Sequence, residues 1–164
     1  MSRLQTPVPK GVQVQLLSGI LMISWSDIVS MSENGSFDPS DVDEKTYVHK
    51  HLIRLNTTHS YVNGEIIELF LGYYSSDRVI LNDLDKTINK ILNRFSTVEI
   101  DDGNIAPTIF NIRKKYGVNR QGNTLMIEIS SLEHLKSAIK DLTKACQEIY
   151  EFVYDREGFE RAKV

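Results

Sequence analysis

Cysteine is almost absent from this sequence. Cys146 is the one thiol in 164 residues, so no disulfide can form within the chain. Proteins without disulfides are typical of reducing compartments, and we therefore expect an intracellular, cytoplasmic protein. No secretory signal is visible, and the apolar stretch 12–25, which Gln13, Gln15 and Ser18 interrupt, is too short to span a bilayer.

A strong basic charge is also missing. The chain carries 19 Lys and Arg residues against 22 Asp and Glu residues, a formal net charge of -3. A dedicated nucleic-acid-binding domain is usually strongly basic, so this balance argues against that class. Positive charge is concentrated at one place, in Arg113, Lys114, Lys115 and Arg120. These residues either complement the C-terminal end of a helix dipole or contact the phosphates of lipid head groups or RNA.

Recognisable catalytic motifs are absent as well. The sequence has no glycine-rich phosphate loop, no nucleophile elbow and no paired-cysteine zinc motif. The carboxylates Glu99, Asp101 and Asp102 lie at a predicted strand end, where a metal site or an acid/base pair can form, but a solvated strand-to-loop turn explains them better. Cys146 lies on an apolar helical stripe, which indicates a small buried hydrophobe. We therefore predict a non-enzymatic protein without a cofactor.

The histidines offer one alternative. His49 and His51 would point to the same side of a strand and could form a metal pair, with His59 as a third ligand. Their spacing matches no established zinc signature, and a partly exposed strand face with polar histidines explains the pattern better. We predict that no metal is bound.

Size and composition indicate an ordinary globular protein. A hydrophobic fraction of 41% and a charged fraction of 25% are enough for one core in a chain of 164 residues. Pro7 and Pro9 lie in a stretch with little to bury. The sequence therefore predicts an extended N-terminal arm over 1–10 and a single domain over 11–164.

The strongest pattern is near the C-terminus. Seven residues recur at steps of three and four, and they form the seam Leu132, Leu135, Ile139, Leu142, Cys146, Ile149 and Val153. This spacing predicts one continuous helix over 131–154 with a buried apolar seam. Ser130 and Glu133 have the spacing of a capping box at its start.

The other elements follow from shorter patterns. Strands are predicted at 12–16, 20–25, 47–55, 97–100 and 125–129, with a helix as the alternative at 20–25 and 47–55. Helices are predicted at 64–74, 84–95 and from Pro107 to its end at Gly117, with Asn82 as the cap of the second. A hairpin turn at Asn63 and Gly64 is the alternative for the first helix. Residues 31–44 are predicted as an acidic loop, and 119–123 as a turn.

Aromatic residues give the C-terminal helix a second apolar edge. Tyr150, Phe152 and Tyr154 lie beside the seam. A helix that is apolar on more than one stripe is either deeply buried or shared with a partner. Burial in the chain's own fold is the first interpretation, and self-association through these residues is the second.

Several segments follow each other in a characteristic order. EKTY at 44–47 leads a strand to RLN at 54–56, and SYVN at 60–63 leads into a helix that ends near Tyr73 and Tyr74. QGNT at 121–124 opens the strand LMIEI at 125–129, and SLE at 131–133 then begins a helix. This order resembles the layout of rhabdovirus matrix proteins. The resemblance implies a sheet packed on helices in a non-enzymatic protein that self-associates and bridges nucleocapsid and membrane.

Together these patterns predict an α+β single domain with a mixed or antiparallel sheet packed against helices and a long C-terminal amphipathic helix. The expected function is that of a non-enzymatic, self-associating structural protein, with a viral matrix role in the virion as its most specific form. The expected partners are a second copy of the chain, a nucleocapsid protein or RNA, and an anionic membrane surface. The alternative is a soluble regulatory domain that binds a small ligand or a protein partner.

Overall fold

The computed structural model describes the chain over 14–17, 20–23, 42–49, 52–75 and 78–162. The strands are β1 (Val14–Leu17), β2 (Ile20–Ile23), β3 (Val42–His49), β4 (Leu52–Ser60), β5 (Ile66–Ser75), β6 (Arg78–Asn82), β7 (Asn119–Gln121) and β8 (Thr124–Ile129). The helices are α1 (Lys86–Arg94), α2 (Ala106–Tyr116) and α3 (Leu132–Ala162). The predicted arm, 1–10, lies outside the described residues.

Six of the strands form one antiparallel sheet in the order β3-β4-β5-β6-β8-β7. Successive antiparallel pairs lead from β3 to β6, and β8 then pairs with β6 after the chain has passed through α1, α2 and β7. β1 and β2 form a separate two-stranded antiparallel sheet. The predicted α+β class, with an antiparallel sheet and a long C-terminal helix, is confirmed.

The core lies between this sheet and the helices. α3 contacts β4, β5, β6 and β8, and both shorter helices contact α3. Across the sheet, Ile53 pairs with Leu71, Leu71 with Leu81, and Leu81 with Ile127, and all four side chains are buried. Because directly opposed residues of neighbouring strands point to the same face, these side chains form one apolar layer under α3.

The predicted seam helix is confirmed, and α3 continues eight residues beyond its predicted end at 154. Six seam residues are fully buried, namely Leu135, Ile139, Leu142, Cys146, Ile149 and Val153, while Leu132 is partly buried. Since α3 crosses four strands of the sheet, it is the element that closes the core.

The cap of α3 lies one residue later than predicted. The Ser131 hydroxyl accepts the backbone N–H of His134 at 3.0 Å, and the Ser130 backbone N–H donates to Nδ1 of His134 at 3.0 Å. Ser131 therefore caps the helix, while the His134 side chain accepts the N–H of Ser130, the residue before the cap. The second bond is shifted by one residue from that of a capping box. The predicted pairing of Ser130 with Glu133 is wrong because the helix begins at Leu132, so Ser131 takes the cap position.

The helix predicted at 64–74 is also wrong. These residues form the turn at Asn63 and Gly64, where Gly64 has φ +92°, and the strand β5 that follows it. β5 pairs with β4 on one side and β6 on the other, and it buries Phe70 on the face opposite to Leu69 and Leu71. A strand with buried residues on both faces loses its alternation, and its apolar run then coincides with helical spacing.

Two other predicted strands have a different structure. The segment 47–55 is part of the β3–β4 hairpin, in which His49 pairs with Leu52, so one continuous strand there is wrong. At 97–100 the backbone turns instead of extending, and the Val98 N–H donates to the Phe95 carbonyl at 2.9 Å. Val98 and Ile100 are buried in this turn, which accounts for their apolar character.

The remaining differences concern shorter segments. β2 pairs with β1 in its own sheet and is therefore not the predicted central strand, and 24–25 lie outside the described residues. The predicted loop 31–44 ends earlier, since β3 begins at Val42. Residues 31–41 also lie outside the described residues. Residues 119–121 form β7, which confines the predicted turn to Gly122 and Asn123. The predicted strand at 125–129 is confirmed as β8, whereas β6 was not predicted.

Candidate functional site

The predicted basic cluster lies at the end of α2 and on β7. Pro107 occupies the first turn of α2, as predicted, and Gly117 ends the helix with φ 67°, a left-handed conformation that glycine adopts without strain. Arg113, Lys114 and Lys115 occupy the last turn, where their positive charge complements the helix dipole. Three of the four members therefore lie where the helix-dipole interpretation requires them, and Arg120 lies on β7.

Two members of the cluster are paired with carboxylates. Lys115 Nζ is 3.3 Å from Glu148 Oε1 of α3, and hydrogen bonds with Tyr116 and Glu148 raise the pKa of Lys115. Arg120 Nη1 is 2.8 Å from Asp101 Oδ1, and Arg120 Nε donates to the Gly122 carbonyl at 2.7 Å. The charges of Lys115 and Arg120 are thus largely balanced within the fold.

The other two members lie beside an exposed aromatic ring. Phe110 is 53% exposed, and the Arg113 guanidinium lies 5.5 Å from its ring centroid. Lys114 is exposed and makes no ion pair with the described part of the chain. Residues three and four apart share a helix face, so Phe110, Arg113 and Lys114 form one surface, which we call the α2 patch. Burial, and then the positive charge of Arg120, lower the pKa of Arg113.

A cleft of about 380 Å³ opens beside Arg120. It is lined by Leu92, Val98, Glu99, Ile100, Asp101, Arg120 and Asn123. The structure therefore brings Glu99 and Asp101 together with a guanidinium. Among the described residues, those that line this cleft include no hydroxyl, thiol or imidazole side chain.

The three residues predicted for self-association have different environments. Tyr150 is 1% exposed and packs on Tyr61, with ring centroids 5.1 Å apart, so it belongs to the chain's own core. Phe152 and Tyr154 are half-buried against that core. Tyr154 stacks on Tyr150 at 5.9 Å and meets Phe95 edge-on at 6.0 Å. Only the outer parts of Phe152 and Tyr154 are available to a second copy.

A buried carboxylate organises the start of α1. Asp83 is fully buried, and it accepts backbone N–H groups from Asp85 at 3.1 Å, Thr87 at 3.1 Å and Leu125 at 3.0 Å. Burial raises the pKa of Asp83, and these hydrogen bonds oppose the rise. Asn82, the predicted cap, instead accepts the N–H of Leu84 at 2.8 Å. Asp83 takes the capping role because its side chain reaches α1 and β8 together.

Further polar groups surround this carboxylate. The Tyr61 and Thr87 hydroxyls are 2.8 Å apart, and both side chains are buried. Burial raises the pKa of the Cys146 thiol well above its usual value, and the negative charge of Asp83 adds to the effect. A buried thiol that keeps its proton is a poor nucleophile. The cluster is therefore structural, in agreement with the interpretation of Cys146 as a core residue.

No group of three potential metal ligands occurs among the residues that the structure describes. His59 is half-buried, and its Nδ1 lies 3.1 Å from the Thr58 hydroxyl. His49 belongs to β3, but its side chain and all of His51 are outside the described residues. The absence of bound zinc stays a prediction.

Sequence reasoning missed two of these features for different reasons. Phe110 falls outside the apolar stripe of Ile109, Ile112 and Tyr116, and this offset was a signal for an exposed aromatic residue beside the basic cluster. Asp83 carried no such signal. Its role depends on Leu125, 42 residues later in the sequence.

Comparison with protein-family models, with curated protein sequences and with solved structures gave no match in any of the three. None of the helices in the described part of the chain combines the length and the apolar character that crossing a bilayer requires.

Proposed function

We propose that this protein is a non-enzymatic structural protein that attaches to an anionic membrane surface through the α2 patch. The observation that carries the proposal is the exposed ring of Phe110 beside the cations Arg113 and Lys114. A peripheral membrane contact combines these two elements, since an apolar side chain enters the interface and cations approach the lipid phosphates.

Charge favours a membrane over nucleic acid as the partner. With Lys115 paired to Glu148 and Arg120 to Asp101, the cluster offers a small basic surface on a chain with a net charge of -3. Binding to nucleic acid requires the neutralisation of many phosphates along a strand. A membrane contact needs fewer cations, because the apolar side chain contributes as well.

Self-association and a viral matrix role are the more specific parts of this proposal. A matrix protein would bind the membrane on one surface and a nucleocapsid on another, and self-association would join many weak membrane contacts into a stable one. These parts are supported by the resemblance in segment order and by the partly exposed side chains of Phe152 and Tyr154.

The first test measures cosedimentation with vesicles of phosphatidylcholine and phosphatidylserine at low and high salt. We expect binding that weakens as salt rises, because surface charges are screened. Lys114→Glu removes one cation and adds one anion, and at about 1 kcal/mol per charge this weakens binding roughly 30-fold. Phe110→Ala should also weaken binding, since the exposed half of the ring no longer enters the interface.

Lys140→Glu is the matched control, because Lys140 is exposed on α3 and the substitution changes the net charge equally. Reversing Lys114 and Lys115 together would also break the Lys115–Glu148 pair, so the single substitution is the cleaner test. If Lys114→Glu and Lys140→Glu weaken vesicle binding equally, the effect is one of net charge alone. Binding of wild-type protein to single-stranded RNA without binding to vesicles would overturn the membrane assignment.

A further inference from the structure

A second cleft lies beside the last turns of α1. It has a volume of about 380 Å³ and is lined by Asn63, Glu65, Lys90, Asn93, Arg94 and Tyr150. The β4–β5 turn contributes Asn63 and Glu65, the last turns of α1 contribute Lys90, Asn93 and Arg94, and Tyr150 comes from α3. Three elements that are distant in sequence therefore meet around one opening of a size that small ligands occupy.

On one wall of the cleft the charged side chains already pair with each other. The Glu65 carboxylate accepts hydrogen bonds from the Lys90 ammonium and from Asn63 Nδ2, and these bonds, in that order, lower its pKa. Lys90 also lies 5.5 Å from the centroid of the Tyr61 ring. The charges of Glu65 and Lys90 therefore cancel, and neither needs a ligand.

The other wall carries a positive charge that no carboxylate of the described residues pairs with. Arg94 makes no ion pair within the described part of the chain, and its guanidinium lies 5.0 Å from the centroid of the Tyr154 ring. Its positive charge reaches the Tyr150 hydroxyl, where it opposes the rise in the pKa of Tyr150 that burial causes. Asn93 is exposed and makes no hydrogen bond with the described residues. The cleft thus presents donors of hydrogen bonds and one uncompensated positive charge.

We infer that this cleft binds a small organic carboxylate, which pairs with Arg94 and accepts a hydrogen bond from Asn93. A carboxylate carries one negative charge, and this equals the one positive charge left after Glu65 and Lys90 cancel. A guanidinium also matches the two oxygens of a carboxylate in geometry. A phosphate would bring a second negative charge next to Glu65, which disfavours it. The carboxylate can belong to a free small acid or to the C-terminus of a peptide.

The test follows backbone amide shifts of the full chain by NMR during titration with sodium benzoate. We expect shifts at residues 63, 90, 93 and 94, and none with benzamide, which has the same shape without the charge. Arg94→Gln should weaken benzoate binding about tenfold or more, as expected for loss of a charge-assisted hydrogen bond. Glu65→Gln should strengthen it, because it removes the only negative charge in the cleft.

Lys144→Gln, an exposed cation on α3, is the control for net charge, and thermal melting verifies that each variant is folded. A short peptide with a free C-terminus, compared with its C-terminal amide, distinguishes a peptide from a free acid as the source of the carboxylate. The inference is overturned if benzoate and the peptide acid cause no shifts at these residues. It is also overturned if inorganic phosphate alone binds, or if Arg94→Gln and Lys144→Gln lose affinity equally. None of these results bears on vesicle binding by the α2 patch.

Discussion

At the scale of single residues, the turn between β6 and α1 shows the most unusual conformation. Leu84 and Asp85 both have positive φ, 52° and 64°, although neither is glycine. Such a conformation costs of order 1–3 kcal/mol for each residue and persists only where surrounding contacts impose it. Here the contacts come from Asn82 and Asp83, which accept the N–H groups of Leu84 and Asp85. The buried carboxylate therefore holds a strained turn in place.

We predict that Asp83→Ala destabilises the fold by about 3 kcal/mol or more. The substitution removes the acceptor of the part-buried N–H of Asp85 and of the buried N–H groups of Thr87 and Leu125, and each buried unsatisfied group costs about 1–3 kcal/mol. Urea unfolding followed by circular dichroism measures the change. A loss below about 0.5 kcal/mol, as is usual for surface positions, would contradict this role of Asp83.

The same carboxylate predicts a dependence of stability on pH. Its pKa is raised by burial in the folded state, so the folded chain binds the proton more tightly than the unfolded chain. The contribution of Asp83 to the free energy of unfolding therefore falls as pH rises from the usual carboxyl range to the raised pKa, and it is constant above. Asp83→Asn removes the titrating carboxyl group. The free energy of unfolding, measured at a series of pH values, should fall less with rising pH in the variant than in the wild type. The same dependence on pH in both proteins would exclude the effect.

At the scale of elements, α3 is the part of the fold that its own sequence determines best. The seam positions are local in sequence, so their spacing alone identifies both the helix and the face that it buries. β5 is the opposite case. Its neighbours β4 and β6 decide that Ile67, Leu69 and Leu71 lie in a strand, and spacing within the segment favoured a helix. Strand pairing is a relation between segments, and a pattern within one segment cannot report it.

We predict that Leu142→Ala destabilises the protein by about 2–5 kcal/mol, because Leu142 is fully buried at the middle of the α3 seam. Lys144→Ala, two residues away on the exposed face, is the control and should change the free energy of unfolding by about 0.5 kcal/mol or less. Chemical denaturation of the two variants beside the wild type makes the comparison. Similar values for both substitutions would show that the seam is not the core.

At the scale of the whole molecule, sequence reasoning predicted the fold class but only part of the surface. The α+β class follows from the kinds of elements present, and these were recognised at α1, α2, α3 and β8. The α2 patch was half predicted, since its cations were visible and the exposure of Phe110 was not. The cleft around Arg94 was not predicted at all. Its residues come from a turn and two helices, and only the packed fold brings them together.

Self-association stays a prediction at this scale. We expect the protein to form oligomers as its concentration rises from micromolar to millimolar, and sedimentation velocity measures the change. Because Tyr150 is buried in the core, the aromatic residues predicted for self-association could contribute only Phe152 and Tyr154 to such a contact. A chain that stays monomeric throughout, and that also binds no vesicles, would leave the regulatory-domain alternative.

The position of α3 in the chain has a consequence for synthesis in the cell. The four successive strands β3 to β6 leave the ribosome before the helix that covers their apolar face, which begins at Leu132 and ends at Ala162, about 80 residues after Asn82. At about 5–20 residues per second, synthesis from Asn82 to the end of α3 lasts roughly 4–16 s. During that time Leu55, Leu69 and Leu81, which are fully buried in the finished fold, have no cover from α3. The nascent chain therefore passes through a stage at which chaperones would find an apolar surface, and stalled translation within α3 would prolong it.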